Sequence, residues 1–440
     1  MTSTDGGSTR QRKARTSTHP TSSGPNSSET LKKEHIQSRV CSKKPRSFLR
    51  RLKRRAIKHT WSIPLLLLVA IASLYALDPT ESNIVHHLIF LSYAQDPTDS
   101  DSISSLDNRP DHNNLPIQYG KGLWDIAFVA FYTIVLTFTR EFIMQELLRP
   151  LARALGIKRA KQLRFMEQAY TAIYFGFSGP MGLYVMRRTP VWYFHTPGMY
   201  EGFPHRTHEA VFKFYYLFEA AYWAQQALVM ILGMEARRKD FKELVAHHIV
   251  TLALIGLSYR FHFTYIGIAI YITHDISDFF LAISKSFHYI DSELVIPLYA
   301  LNVATWIYLR HYVNLRILYS ILTEFRTVGP YELDWETQQY KCWISNLITF
   351  ALLALLQSLN LFWLYCLMRS AWRFVSTGEK KDDRSEEEGE EEVLVQEKLG
   401  SVNAREVSLV DAADVCIEVE EGCPTGVRDS EGTDRTGSWS

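Results

Sequence analysis

Several features that hold soluble and secreted proteins together are scarce in this chain. Its five cysteines (Cys41, Cys342, Cys366, Cys416 and Cys423) are scattered over 440 residues, too few and too far apart for a disulfide scaffold. About 60 polar residues precede the first apolar run, so a secretory signal peptide is not expected. No internal repeat is visible. Histidine boxes of the HxxxH or HxxHH kind are absent, which argues against a membrane di-iron centre. Charge is also scarce where it matters: residues 60–378 carry only 25 Lys/Arg and 25 Asp/Glu. The net charge of +1 is a cancellation, because residues 1–59 hold 16 Lys/Arg against three Asp/Glu while residues 379–440 hold seven against 19. A soluble cytosolic enzyme is therefore not expected.

What fills the middle is Tyr, Phe, Trp, Leu and Ile. A hydrocarbon core about 30 Å thick needs roughly 20 mostly apolar helical residues. Eight stretches qualify, near 61–77, 123–143, 167–186, 210–233, 243–260, 263–287, 294–318 and 343–368. The sixth and seventh are interrupted by polar residues. The fold class expected is an all-α polytopic membrane protein with about eight transmembrane helices.

Loop charges set the orientation. The basic run Arg50-Arg51-Leu52-Lys53-Arg54-Arg55 should stay cytosolic, and on the same side loop 144–166 has six Lys/Arg and loop 234–242 four. The opposite loops 78–122 and 319–342 have two each and loop 187–209 has three. Both tails are then cytosolic, and the sequon Asn26-Ser27-Ser28 is expected to be unused. Residues 1–48 read as a disordered basic arm, its charge serving topology and attraction to anionic lipid rather than nucleic acid. The acidic block Asp382–Glu392 reads as solvated, with Ser385, followed by three Glu, a candidate acid-directed phosphorylation site.

Charged side chains at mid-membrane cost roughly 2.5–3.5 kcal/mol each even on the lenient insertion scale. The sixth stretch nevertheless places His274, Asp275 and Asp278 near its middle and Lys285 beyond, which with Tyr271 fall within an arc of about 100°. On the fifth, His247, Thr251 and Ser258 lie within about 40° of one another, with His248 and Tyr259 at the edge. Only residues 261–262 join the two stretches, so they form an antiparallel hairpin, and two His and two Asp are expected to converge at similar depth. A His pair alone says little: His86-His87 has no acidic partner in a span and reads as interfacial, and His195, His205 and His208 lie in a loop. Adjacent histidines on a helix point about 100° apart and chelate one ion poorly, so no metal is expected. Costly polar groups at matched depth favour a reactive or substrate-binding site over a structural network.

The pattern HHxxTxxLxxxSY from His247 to Tyr259, followed by HDxxDxxLxxxK from His274 to Lys285, resembles the signature of the ceramide synthases of the TLC-domain family. A looser resemblance runs from His59 to about Arg373. The segments Arg140-Glu-Phe-Ile-Met-Gln-Glu-Leu-Leu-Arg-Pro and Pro190-Val-Trp-Tyr-Phe look like the fungal branch, and there is no homeodomain-like insert.

The resemblance implies an enzyme that joins a fatty acyl group from acyl-CoA, as co-substrate, to the amine of a sphingoid base in the endoplasmic reticulum membrane, with no further cofactor. It implies six helices in a barrel around a buried pocket, with stretches three to eight in the barrel and the first two outside. The organisation expected is a basic tail (1–59), two flanking helices with a lumenal loop (60–165), the TLC catalytic domain (166–373) and an acidic tail (374–440). Residue by residue, His247, His248, Asp275 and Asp278 match as catalytic, with His274 as substrate-binding. Thr251, Ser258 and Tyr259 are assigned hydrogen-bonding roles, and the aromatic run that ends in Tyr222 and Trp223 is a candidate lining for an acyl tunnel. The charges of Arg237, Arg238, Lys239 and Lys242 are explained first by fixing the topology, and second as groups that can meet CoA phosphates. A small single-span accessory subunit, as in yeast-like members, and a homodimer are partner candidates.

The residues themselves fit that chemistry. A sphingoid amine must lose a proton before it attacks a thioester, and neutral His can accept it. Either His247 or His248 acts as general base, or one of them carries the acyl group as an acyl-imidazole. Asp275 and Asp278 orient and charge-balance the histidines in both routes. The competing readings are a non-enzymatic TLC-domain protein that binds lipid or assists translocation, and a desaturase or elongase, the last disfavoured by the missing His boxes.

Overall fold

A computed structural model describes residues 59–95, 116–235 and 238–377. The basic tail with Asn26, the stretch 96–115, Arg237 and the acidic tail with Ser385 lie outside the described residues.

The described chain is helical almost throughout. The first helix, α1 (Ser62–Leu77), is followed by a single turn, α2 (His86–Ile89). Helix α3 (Trp124–Phe142) runs through a π-helical stretch, Ile143–Leu148, into α4 (Arg149–Ala154). Next come α5 (Arg159–Arg187), α6 (Ala210–Ile231), α7 (Phe241–Arg260) and α8 (Thr264–Tyr289). A second π-helical stretch, Ile307–Val313, joins α9 (Val295–Trp306) to α10 (Asn314–Thr323), and α11 (Trp343–Thr377) closes the described part. Each apolar stretch of the sequence coincides with one continuous rod, the seventh with α9, the second π-helical stretch and α10 together, which makes eight rods in the described chain. Among the described residues four are long and apolar enough to cross a membrane: Trp124–Ala154, Phe241–Arg260, Thr264–Tyr289 and Trp343–Ser376. Helix α1 buries none of its residues, although it packs against α3.

Close packing of α5 on α8 sets one wall of the bundle. Gly176, Gly179 and Gly182 of α5 face Phe279, Ile276 and Ile272 of α8 in antiparallel register. A Cβ at Gly182 would lie 2.4 Å from the Tyr215 hydroxyl and 2.9 Å from Ile272. Small residues spaced in this way let helices approach until side chain meets backbone. Helix α6 packs on α3 and α7, and α7 in turn on α8 and α11.

At one end of the bundle lies a three-stranded antiparallel sheet of β1 (Ala94–Gln95), β2 (Gln118–Tyr119) and β3 (His208–Glu209), in spatial order β1-β2-β3. Such two-residue strands carry no alternating pattern and were not legible beforehand. Below the sheet, Lys213 of α6 is fully buried. Its ammonium lies 2.7 Å from Asp125 Oδ1 and donates to the carbonyls of Ser92 (2.9 Å) and Gly120 (2.7 Å). The Tyr259 hydroxyl donates to Asp125 Oδ2 at 2.7 Å. A buried cation is tolerable there because each of its hydrogens meets an oxygen.

Beside this knot Lys121 donates to the His205 carbonyl (2.7 Å) and faces His262 Nδ1 at 3.2 Å. Burial lowers Lys121 to about 7, against the pull of Asp125. Burial, and then the neighbouring Lys121, lower His262 to about 4. Both groups bind fewer protons folded than unfolded, so stability rises with pH. The loss runs from about 10.5 down to 7 for Lys121 and from about 6.5 down to 4 for His262. The thermal midpoint of the detergent-solubilised protein should therefore fall as the pH is lowered from 9 to 5. Lys121→Met should flatten the part above pH 7; parallel wild-type and variant curves there would contradict the assignment.

Candidate functional site

Helices α7 and α8 form the expected antiparallel hairpin through Phe261–Phe263, with His262 at φ 67° in the turn. An apolar cavity of about 220 Å³ runs along the hairpin, walled by α6, α7, α8, α11 and the segment that leads into α11. Leu254, Ile255, Phe263, Ile266, Leu352 and Leu356 make up much of its surface. On the flank between α7 and α11 the lining residues Leu257, Ile344 and Ile348 are also exposed, so the cavity reaches the outside of the bundle there.

Into this apolar space face Trp223, His247, Thr251 and Tyr271. Trp223 Nε1, His247 Nδ1, Thr251 Oγ1 and the Tyr271 hydroxyl are all buried without a hydrogen-bond partner. Buried polar atoms nearly always find partners, and each one left alone costs roughly 1–3 kcal/mol. Four such atoms on the walls of one cavity give an otherwise hydrocarbon-like slot a polar lining.

His247 sits in an aromatic cage. Its ring centroid is 5.6 Å from Trp223, 5.2 Å from Trp363 and 6.5 Å from the nearly parallel ring of His274. His274 also lines the cavity, and both its nitrogens are held. Nδ1 lies 2.8 Å from the Ile270 carbonyl, which can only accept, so Nδ1 carries the hydrogen. Nε2 faces the Asn360 amide nitrogen at 3.4 Å. That amide is oriented by Arg310, whose Nη1 donates to Asn360 Oδ1 at 3.0 Å. His247, by contrast, keeps Nδ1 free.

The expected convergence of His247, His248, Asp275 and Asp278 in one chamber is corrected by the structure. Of the four only His247 lines the cavity. His248, rotated about 100° around α7, ties Nδ1 to the Leu244 carbonyl at 2.9 Å. Asp275 turns toward α5 and α6, where its Oδ2 accepts from Tyr215 at 3.0 Å and lies 3.0 Å from the Ser178 hydroxyl. Asp278 turns toward the π-helical stretch and pairs with Arg310 at 2.6 Å. Helical rotation explains the split: Asp275 lies about 100° from His274, while Asp278 returns to within about 40° of it one turn on.

Of the residues expected to touch substrate, His274, Thr251, Ser258 and Trp223 line the cavity. Two do not. Tyr222 stacks on Tyr174 with centroids 3.7 Å apart, on a face of α6 turned about 100° from the cavity-lining Trp223. Tyr259 reaches Asp125 instead. Among the described residues no cluster of three or more His, Cys, Asp or Glu is placed to hold a metal ion.

Two buried groups were not anticipated. Arg310 is a fully buried guanidinium that binds Asp278, Ser277 Oγ (2.6 Å) and Asn360, and lies 4.1 Å above the Trp306 ring. Glu219 of α6 accepts from Tyr174 (2.9 Å) and from Ser178, which also contacts Asp275. A charged residue inside an apolar run was the available signal for both.

Comparisons with known proteins identify the family. Residues 164–369, which include both hairpin helices, match the TRAM_LAG1_CLN8 family, described as the TLC domain. The chain is 55% identical over 333 residues to the sphingosine N-acyltransferase-like protein FUM17 of Gibberella moniliformis, covering 75% of this chain and 83% of that one. It is 47% identical over 338 residues to the sphingosine N-acyltransferase lac1 of Schizosaccharomyces pombe, covering 77% and 83%. It is also 47% identical over 337 residues to the ceramide synthase LAG1 of Saccharomyces cerevisiae, covering 76% and 78%. A helical membrane protein whose TLC domain folds around a cage of free polar atoms, and whose likeness runs through three quarters of its length to such relatives, belongs to the fungal sphingosine N-acyltransferase (ceramide synthase) family.

Proposed function

We propose that the chain transfers a fatty acyl group from acyl-CoA to the amine of a sphingoid base, dihydrosphingosine or phytosphingosine, to give the corresponding ceramide. The observation that carries this reading is the free Nδ1 of His247 on an apolar cavity, beside three other unpartnered polar atoms. An acyl chain fits the apolar walls, and a thioester carbonyl or an amine fits the polar spot. The amine nitrogen attacks the thioester carbonyl carbon, the carbon–sulfur bond breaks and CoA leaves as the thiolate. His247 removes the proton from the amine, or first takes the acyl group itself and yields it to the amine. Thr251 and Tyr271 can donate to the carbonyl oxygen as charge develops on it. His274, tied at both nitrogens, positions the pocket beside His247. Asp275 and Asp278 support it at a distance, through Ser178 and Tyr215 in one case and Arg310 in the other. Acyl-CoA is a co-substrate, and this chemistry calls for no bound cofactor or metal.

In this reading all eight rods span the endoplasmic reticulum membrane, α5 to α11 forming a six-span TLC barrel over residues 166–373. The small sheet faces the lumen, and both tails (1–59 and 374–440) face the cytosol. Loop charge and the family resemblance support this orientation, and the same resemblance supports a homodimer and a small accessory subunit as partners. The decisive assay incubates purified protein in phosphatidylcholine vesicles with a sphingoid base and a long-chain acyl-CoA. Ceramide should form only when both are present. No ceramide with any chain length or base would leave the lipid-binding alternative standing.

A further inference from the structure

We propose that Arg238, Asp240 and Trp363 form a latch over His247 that the phosphate groups of an acyl-CoA release. The inference rests on the acyl-CoA reading and adds to it how that substrate gains entry.

Asp240 occupies the position before the first turn of α7, where an Asp usually accepts hydrogen bonds from the free N–H groups of its own helix. Here its side chain makes no such bond. It holds Arg238 instead, Nε to Oδ1 at 2.9 Å and Nη2 to Oδ2 at 2.8 Å, and its Oδ2 accepts the Trp363 indole N–H at 3.0 Å. The Trp363 ring then stands edge-on to His247 at 5.2 Å. A chain of contacts thus leads from the end of the bundle opposite the sheet down to the reactive imidazole.

Exposure falls steeply along it. The Arg238 side chain is 25% exposed and that of Asp240 3%, and Trp363 and His247 are 6% and 5% exposed. In this arrangement His247 is shut off from the water on that side. The thioester of an acyl-CoA must nonetheless reach His247 while its nucleotide, with several phosphate charges, stays in water, since burying such charges is prohibitive. The indole stands in that route. The one water-facing member of the chain is a guanidinium, the side chain that binds phosphate bidentately. A phosphate that takes Arg238 from Asp240 loosens the carboxylate that holds the indole, and the ring can turn aside. After CoA leaves, the ion pair re-forms and the indole again keeps water from the acyl group.

The test compares a long-chain acyl-CoA with the S-acyl pantetheine of the same chain, which has the thioester and no phosphate. Ceramide formation is measured with the full chain in phosphatidylcholine vesicles for wild type, Trp363→Phe (ring kept, N–H removed) and Asp240→Asn. Wild type should favour the CoA ester strongly in kcat/KM. In both variants that preference should shrink at least tenfold, because acyl pantetheine gains. A merely structural role would slow both substrates alike and leave the ratio unchanged, and a ratio within twofold of wild type in the folded variants overturns the latch. If Asp240→Asn does not fold, Trp363→Phe decides alone. The assay is repeated in vesicles with anionic phospholipid. Acyl pantetheine used there by wild type as well as by the variants would make a lipid headgroup the release signal, and the proposal for the substrate's own phosphates falls. No ceramide from either thioester with wild type defeats the acyltransferase reading itself, and the latch with it.

Discussion

Replacing His247 by Ala should lower ceramide formation by roughly 10²–10⁴-fold, the usual worth of a positioned base or nucleophile, and leave the fold intact. His248→Ala should cost less than tenfold. The two residues are neighbours with similar burial, so chain position alone predicts equal effects. Geometry separates them: His247 Nδ1 is free and on the cavity, while His248 is tied to its own helix at Leu244. The His247 ring contributes edge contacts to two tryptophans, so its loss should lower the thermal midpoint only modestly. Activity and midpoint measured on the same preparations separate chemistry from folding. A His247→Ala enzyme retaining more than a tenth of wild-type turnover would remove that imidazole from the reaction.

Arg310→Leu carries the largest expected effect on stability. The guanidinium is buried with Asp278, Ser277 and Asn360 around it. Taking away one partner of a buried ion pair typically costs 3–5 kcal/mol, because the other charge is left without compensation. Arg310→Lys should not rescue, since one ammonium cannot serve three acceptors set for a planar fork. The double variant Arg310→Leu with Asp278→Leu should recover most of the loss, because no lone charge remains. Unfolding midpoints of the three variants test this. A single Arg310→Leu change that costs less than about 1 kcal/mol, well below the cited range for breaking a buried pair, would mean that Asp278 is satisfied by other means.

The rods were the most legible part of this protein. Long apolar runs can only be helices when water is absent, and the stretches predicted near 210–233, 243–260 and 263–287 overlie Ala210–Ile231, Phe241–Arg260 and Thr264–Tyr289. The site was legible in composition and not in direction. His247, Thr251 and His274 do meet at one cavity, because helical periodicity places residues well within a single rod. Which neighbour each rod turns toward depends on packing between helices, and that is where periodicity is silent. Asp275 and Asp278 thus meet Ser178, Tyr215 and Arg310, partners on other elements that the hairpin's own periodicity does not name. Arg310, Asn360 and Glu219 come from three other helices, and nothing local in the chain links them to the hairpin. Each was still conspicuous as a polar residue in an apolar run, a clue that marks a buried partner without naming it.

The glycines of α5 bear on how a finished molecule departs. A ceramide carries two hydrocarbon tails where each reactant brings one, so it needs more room than either. Along α5 and α8, side chains already press against bare backbone at Gly176 and Gly182, and that wall has no slack to give. The opposite flank is bordered by Leu257, Ile344 and Ile348, which already look outward. Widening for a two-tailed product is therefore expected at that flank, where the lining residues already reach the outside of the bundle.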